Sequence, residues 1–174
     1  MATPARVGPD PRPGEPLPLG ALLAERELGL SLLPGGPAGA AQAEVHGVHA
    51  SEMADPSPYL LGGELLLTAG SWLAPAAATA DAEAEATAGG TAEAVDGYVR
   101  ELVRARVAAL GFGVAPLHAE VPAELAAACE RHGLPLLEVP RPTPFSAVAR
   151  AVWRLMAEAR TRELRRVTEA QRSL

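Results

Sequence analysis

The residues best suited to bind a small molecule are concentrated between positions 49 and 70. A carboxylate accepts hydrogen bonds from ring N–H groups, whereas a hydroxyl both donates and accepts them. The stretch supplies one histidine, three carboxylates, a threonine hydroxyl and a glycine: His49, Glu52, Asp55, Glu64, Thr68 and Gly70. We expect a ligand site here. The alternative is that Asp55 and Glu64 only cap turns or helix ends.

A short buried strand must position these groups. Leu65–Leu67 is wholly apolar and lies between glycines, a pattern typical of a strand covered on both faces. Gly62-Gly63 predicts a tight turn at its start. Thr68 and Gly70 then fall at its carboxyl end, where open α/β sheets place their ligands. A predicted tight turn after the next strand completes the candidate site: Gly111, Phe112 and Gly113.

The sequence gives little support for nucleotide binding, metal binding or nucleophilic catalysis. Gly111 and Gly113 lack the third glycine of a dinucleotide loop, and the chain has no lysine for a Walker loop. His46 and His49 are three apart, which places them on opposite faces of a strand. Cys129 and His132 fit a core thiol beside a helix-end histidine better than a nucleophile pair. We therefore expect no metal, no cofactor and no catalytic residue.

Composition narrows the class of protein further. The 174 residues carry a net charge of −6, which disfavours a general nucleic-acid surface. The chain has one cysteine, no amino-terminal apolar run and no stretch of about 18 apolar residues. We expect a cytoplasmic protein without membrane partners. The absence of Ile, Asn and Lys indicates a bacterial source with a GC-rich genome.

The order of elements predicts the fold class. From Leu65 to Val139 strands alternate with helices, which favours parallel strands joined by right-handed crossovers. We predict an α/β domain with a short, mostly parallel sheet, helices on its faces and a long carboxyl-terminal helix. We expect three segments along the chain. A disordered lead-in covers 1–18, the domain covers 19–142 with a mobile acidic insertion at 75–90, and an exit helix covers 143–174.

Local signals place the ends of the individual elements. Thr91 predicts the start of the first crossover helix, because threonine is a favoured capping residue. An earlier helix is predicted to run from Leu19 to Gly29. Strands are expected over Leu30–Leu33 and Val45–Ala50. The glycine at 133 predicts the end of the second crossover helix.

We expect the apolar face of the exit helix to make two kinds of contact. Its first half should dock on the sheet, and the spacing of its later apolar residues resembles a coiled-coil seam. The candidate residues for a dimer interface are Val148, Val152, Leu155, Leu164 and Val167. A helix that continues to the last residue leads us to expect a longer protein, of which this chain is one part.

The stretch from Val48 to Gly70 resembles a family signature. It fits V-H-x-S-E-x-x-D-P-x-x-Y-L-x-G-G-E-L-L-L-T-T-G, which is similar to the amino-terminal domain of PucR-type transcription regulators, named for control of purine catabolism. Leu134–Pro140 and Pro144-Phe145 resemble a second segment of that family. The resemblance covers about Leu19 to Met156. Gly47 and Ala69 depart from it, the first where the family commonly has a large aromatic residue.

The resemblance implies a sensor placed ahead of a middle region and a carboxyl-terminal helix-turn-helix. By this analogy a purine-related metabolite is the effector, the protein is a homodimer, and DNA is contacted only through the helix-turn-helix that this chain lacks. A second hypothesis is a self-association module without a ligand, in which the exit helix pairs with its twin. An enzyme is disfavoured, because no nucleophile, base and orienting group can be assembled.

Overall fold

The computed structural model describes residues 15–73, 83–115 and 117–173. The predictions for residues 1–14 and 75–82 lie outside this range. The chain forms seven strands and four helices in the described residues: β1 (Leu17–Pro18), α1 (Leu19–Leu23), β2 (Ser31–Leu32), β3 (Glu44–Val45), β4 (Gly47–Ala50), β5 (Glu64–Thr68), α2 (Glu83–Arg104), β6 (Ala109–Gly113), α3 (Ala123–His132), β7 (Leu136–Val139) and α4 (Phe145–Arg172).

The central sheet has five strands in the order β2-β7-β6-β5-β4. The four strands from β4 to β7 are parallel, and β2 pairs antiparallel with β7 at one edge. A separate two-stranded ribbon joins β1 to β3. The predicted α/β class, with a mostly parallel sheet and a long carboxyl-terminal helix, is confirmed.

Two apolar layers cover the sheet, one on each face. Leu65 and Leu67 point into a cluster with α1 and α4, whereas Leu66 points into a cluster with α2 and α3. This alternation follows from the two-residue period of a strand. Every residue of β5 and β6 is buried, so both strands require helices on both sides.

Helices α2 and α3 are tied together at their exposed side. Asp96 of α2 accepts hydrogen bonds from Arg131 at 2.8 Å and from His132 at 2.9 Å, both on α3. The hydrogen bond from Arg131, followed by that from His132, holds the pKa of the Asp96 carboxyl below its usual value. The pair of helices that covers one face of the sheet is thus joined by charge as well as by apolar contact.

Helix α2 begins earlier than the sequence predicted. It starts at Glu83, so Thr91 lies within the helix and does not cap it. Residues 83–90 of the predicted acidic insertion are therefore helical. The reason is that adding alanine-rich residues to an existing helix costs little, since propagation is much easier than nucleation.

Three further boundaries differ from the predictions. Leu17 is buried in β1, so the structured part of the chain starts inside the predicted lead-in. Helix α1 ends at Leu23, well before Gly29, and hydrogen-bonded turns continue to Leu28. The strand predicted over Val45–Ala50 is split at His46, where the chain passes from the small ribbon into the main sheet.

Helix α4 crosses the sheet from its carboxyl edge to its amino edge. By carboxyl edge we mean the ends of β4 to β7, and by amino edge their starts. Phe145 lies against Gly113, at the end of β6, and Trp153 lies against Gly47, at the start of β4. The indole of Trp153 thus covers part of the space left by the small residue at position 47.

The second half of α4 extends beyond the amino edge. Every residue from 160 to 173 is exposed, and we call this segment the projecting half of α4. It adds about 20 Å to the helix at 1.5 Å per residue. None of the helices in the described ranges is long and apolar enough to cross a membrane.

Strands β5 and β6 can pack closely because Gly111 has no side chain. A Cβ at Gly111 would lie 2.7 Å from Cδ2 of Leu67, which is too close for any real contact. We expect Gly111→Ala to lower the free energy of unfolding by about 1–3 kcal/mol, the usual cost of overpacking a core. Urea denaturation followed by circular dichroism measures this change. Gly36→Ala is the control, since a Cβ there would meet only the carbonyl oxygen of Leu33 at 3.9 Å, an ordinary contact, and should change stability little.

Candidate functional site

The hydroxyl of Thr68 is the centre of a hydrogen-bond network at the carboxyl end of β5. Thr68 is fully buried, and its Oγ1 donates to the carboxylate of Glu52 at 2.9 Å. The same oxygen accepts hydrogen bonds from Nε1 of Trp72 at 3.0 Å and from the backbone N–H of Gly70 at 3.2 Å. All three interactions of the hydroxyl are therefore used within the chain.

Glu52 holds the loop after β5 and still faces solvent. Its carboxylate accepts the Thr68 hydroxyl and the backbone N–H of Ala69. Two carboxylate oxygens offer about four acceptor positions, so these two donors leave capacity for others. The side chain is exposed, and the free acceptor positions are accessible to a ligand.

Two aromatic rings line the network. Trp72 and Tyr98 stack with their ring centroids 3.8 Å apart and an interplanar angle of 24°. Tyr98 is only 4% exposed. Burial, then the charge of Glu52, raises the pKa of Tyr98 well above its usual value, and the neighbouring Thr68 opposes this shift.

The hydroxyl of Tyr98 has no hydrogen-bond partner with acceptable geometry in the described structure, although it lies beside Thr68. Leaving a buried polar group unpaired costs about 1–3 kcal/mol. Such groups are rare in folded proteins, and a bound water or ligand is a common explanation. The site therefore holds one buried donor without a protein acceptor.

A histidine and a phenylalanine close the other side of the site. Nε2 of His118 lies 3.0 Å from the carbonyl oxygen of Gly70, so this nitrogen carries the proton and donates. The rings of Phe112 and His118 are 5.6 Å apart. Gly70 has a φ of 77°, and a Cβ there would lie 2.7 Å from the Phe112 ring. Only glycine fits this turn without displacing the ring.

The structure brings four of the predicted site residues together and adds three that sequence reasoning missed. The four are Glu52, Thr68, Gly70 and Phe112, and the three are Trp72, Tyr98 and His118. Trp72 had a usable signal, since it is an aromatic residue directly after the motif in a chain with few aromatics. Tyr98 had none, because its spacing fits the apolar stripe of α2.

Two predicted carboxylates lie apart from this network. Asp55 accepts the backbone N–H of Ser57 at 3.1 Å, at the start of the short 3-10 turn Ser57–Tyr59. Glu64 stands at the amino end of β5, about 13 Å along the strand from Thr68. Its Oε2 accepts the N–H of Leu61 at 3.0 Å, which closes the Gly62-Gly63 turn.

The remaining predicted residues belong to strands. His49 lies in β4, in register with Leu66. Gly111 and Gly113 were predicted in a tight turn, but both lie inside β6, so that prediction is wrong. Glycine is required at both positions by close packing, against Leu67 at Gly111 and against Phe145 at Gly113.

The described residues contain neither a metal-binding cluster nor a reactive thiol. Among the described residues no three His, Cys, Asp or Glu side chains are grouped to hold a metal ion. Cys129 is buried in the core beneath α3, and burial raises the pKa of its thiol to about 12. The thiol is therefore protonated at neutral pH, which makes it a poor nucleophile.

The five candidate dimer residues of α4 fall into two groups. Val148, Val152 and Leu155 are buried against the domain's own core. Leu164 and Val167 lie in the projecting half and are exposed. Only the second pair is accessible to another protein.

We expect Thr68→Val to disrupt the network around Thr68. The change leaves the Trp72 Nε1–H without its acceptor, and we expect a loss of about 1–3 kcal/mol in the free energy of unfolding. In a Trp153→Phe background, the fluorescence of Trp72 should also shift to longer wavelength. Thr168→Val, on the exposed projecting half, is the matched control. Equal stability of the two variants would contradict the role assigned to Thr68.

Residues 21–156 match the model of the purine catabolism regulatory protein-like family, PucR. No curated protein and no solved structure shows a significant match to the chain. The family match spans more than three quarters of the 174 residues and includes the whole network around Thr68. The chain therefore belongs to the PucR family of regulatory proteins.

Proposed function

We propose that this chain is the effector-sensing domain of a PucR-family transcription regulator. The effector binds at the carboxyl edge of the sheet, between Glu52, Trp72 and Tyr98. The observation that carries this proposal is the buried hydroxyl of Tyr98 beside the Thr68 network, which has no hydrogen-bond partner among the described residues. Ligands of open α/β sheets bind outside the carboxyl ends of the strands, which is where this hydroxyl lies.

The polar groups of the site define the class of effector. The exposed carboxylate of Glu52 would accept ring N–H groups, and Tyr98 would donate to a ring nitrogen or carbonyl oxygen. No arginine joins the hydrogen bonds around Thr68 in the described structure, which favours a neutral or cationic ligand, so uric acid, an anion at neutral pH, should bind more weakly than hypoxanthine. A planar purine-related metabolite meets these requirements, and the family description supports the purine link.

The proposal includes a route to the rest of the regulator. Gly70 contacts the ring of Phe112, and the neighbouring Gly113 contacts Phe145, the first residue of α4. A ligand that shifts the loop after β5 would thus bias the start of α4. We propose that α4 passes this change to a carboxyl-terminal helix-turn-helix that contacts DNA. The domain itself would be cytoplasmic and non-catalytic, and would need no cofactor.

We expect Tyr98→Phe to separate binding from stability. Removing an unpaired buried hydroxyl should leave the free protein as stable as before or more stable, whereas effector affinity should fall at least about tenfold, or 1.4 kcal/mol. Isothermal titration calorimetry with xanthine, hypoxanthine and uric acid gives the affinity, and thermal melting gives the stability.

Glu52→Gln tests the second contact of the same site. It replaces two acceptor oxygens by one acceptor and one donor, so affinity for the same three probes should fall. Glu163→Gln on the projecting half is the matched control. Unchanged affinity in both Tyr98→Phe and Glu52→Gln would place the effector elsewhere, and failure of all three probes to bind the unchanged protein would contradict the purine-related class.

A second candidate function is homodimerisation through α4 without an effector. The favouring observation is that Leu164 and Val167 are exposed apolar side chains on the projecting half of α4. Two such helices could bury these side chains against one another. The two functions are compatible, because the projecting half of α4 lies beyond the opposite edge from the effector site.

We expect Leu164→Asp to weaken a dimer that forms through the projecting half. A carboxylate in a paired helix seam loses its hydration, so the monomer is favoured. Sedimentation velocity over a concentration series measures the dissociation constant. Leu117→Asp, at an exposed leucine outside the helix, is the control. A dissociation constant unaltered by Leu164→Asp would show that the helices do not pair.

A further inference from the structure

The amino edge of the sheet presents a leucine that no residue of the described ranges covers. Leu61 is 97% exposed and stands at the tip of the loop before β5. The loop is held in place, since the N–H of Leu61 donates to Glu64 at 3.0 Å and the N–H of Gly63 donates to the carbonyl of Arg106 at 2.7 Å. Because the turn is fixed, its leucine would lose little conformational freedom on entering an apolar pocket of another protein.

An apolar cleft opens at the same edge. Its volume is about 280 Å³, and its walls come from the loop before β3, the end of α2 and the segments that lead into β6 and β7. The lining includes Pro37, Ala38, Val103, Val107, Leu134 and Pro135. No charged side chain lines it, and its volume lies just below the ~300–1,000 Å³ typical of small-molecule pockets. These properties fit an apolar side chain better than a metabolite.

The turn between the leucine and the cleft is flanked by opposite charges. On one side, Gly63 contacts the ring of His46, whose Nε2 lies 3.8 Å from the carboxylate of Glu44. On the other side, Gly62 approaches the side chain of Arg106, an exposed residue that forms no ion pair within the described ranges. A surface with an acid on one side and a base on the other is complementary to its own copy rotated by 180°.

We propose that the amino edge binds a second copy of this chain across a twofold axis. Leu61 of each protomer enters the apolar cleft of its partner, and Arg106 of each protomer meets Glu44 of its partner. A twofold interface is the fitting arrangement because leucine, cleft and both charges lie at one edge of one chain. This interface is separate from the effector site and from pairing of the α4 seams.

The projecting half of α4 supports the same arrangement. It leaves the domain past the amino edge, so a protomer docked at that edge lies beside the helix of its partner. The segment carries five arginines and two glutamates, whereas the rest of the chain carries ten arginines and nineteen acidic residues. The basic projecting half of α4 in one protomer therefore attracts the acidic domain of the other protomer.

The experiment is sedimentation velocity of the full chain and its variants up to submillimolar concentration. We expect the unchanged chain to dimerise and Leu61→Asp to raise the dissociation constant at least about tenfold. Leu117→Asp, which replaces an exposed leucine away from this edge, should leave the constant unchanged. Because Leu61 is almost fully exposed, Leu61→Asp should keep the melting temperature of the chain, and circular dichroism checks this.

A charge exchange tests the geometry of the interface. Arg106→Glu and Glu44→Arg should each weaken the dimer severalfold, and the double variant should recover most of the loss. A monomeric unchanged chain, or a dimer that Leu61→Asp leaves intact while Leu164→Asp dissociates it, would overturn the proposal. Leu61→Asp should not alter affinity for xanthine, hypoxanthine or uric acid, so failure of this interface and failure of effector sensing are measured independently.

Discussion

Burial of β5 on both faces is the constraint on which the rest of the structure depends. Leu65 and Leu67 enter one apolar cluster and Leu66 enters the other, so helices must cover the strand on both sides. Such a strand has no solvent-facing row in which to place polar side chains. Its polar residues can stand only at its two ends, and they do: Glu64 at the start and Thr68 at the finish. The effector site and the dimer interface that we propose lie at opposite edges for this reason.

The two edges of the sheet differ in chemistry because different segments complete them. At the carboxyl edge, Thr68 organises Glu52 and Trp72 into a polar network with an unpaired hydroxyl beside it. At the amino edge, the carboxylate of Glu64 is turned inward to hold the Gly62-Gly63 turn, which leaves the side chain of Leu61 exposed. Helix α4 contacts both edges, since it begins on Gly113 and passes Gly47. Helix α2 also spans the sheet, since Tyr98 lies beside Thr68 and Val103 lines the cleft at the amino edge.

Sequence reasoning recovers what depends on local pattern and misses what depends on tertiary contact. The period of the apolar residues predicts the parallel sheet and the long helix, because each element buries a face with its own repeat. The predictions fail where packing decides. The sequence suggests that Gly111 and Gly113 are turn residues, but neighbouring side chains fill the space that a Cβ would occupy at each position. Tyr98 fits the apolar stripe of α2 in the sequence, although its hydroxyl lies beside Thr68. The motif predicted Glu52, Thr68 and Gly70 of the network, but not the aromatic side chains that line it.

The hydroxyl of Tyr98 is also the strongest argument against a purely structural role for the network. A phenylalanine at this position would keep the stack on Trp72 and the apolar contacts of α2, and it would avoid about 1–3 kcal/mol of desolvation. Thr68, Glu52 and the backbone of Ala69 and Gly70 already satisfy one another, so the loop after β5 does not need the hydroxyl. A buried donor without an acceptor among the described residues supports the effector site that we propose.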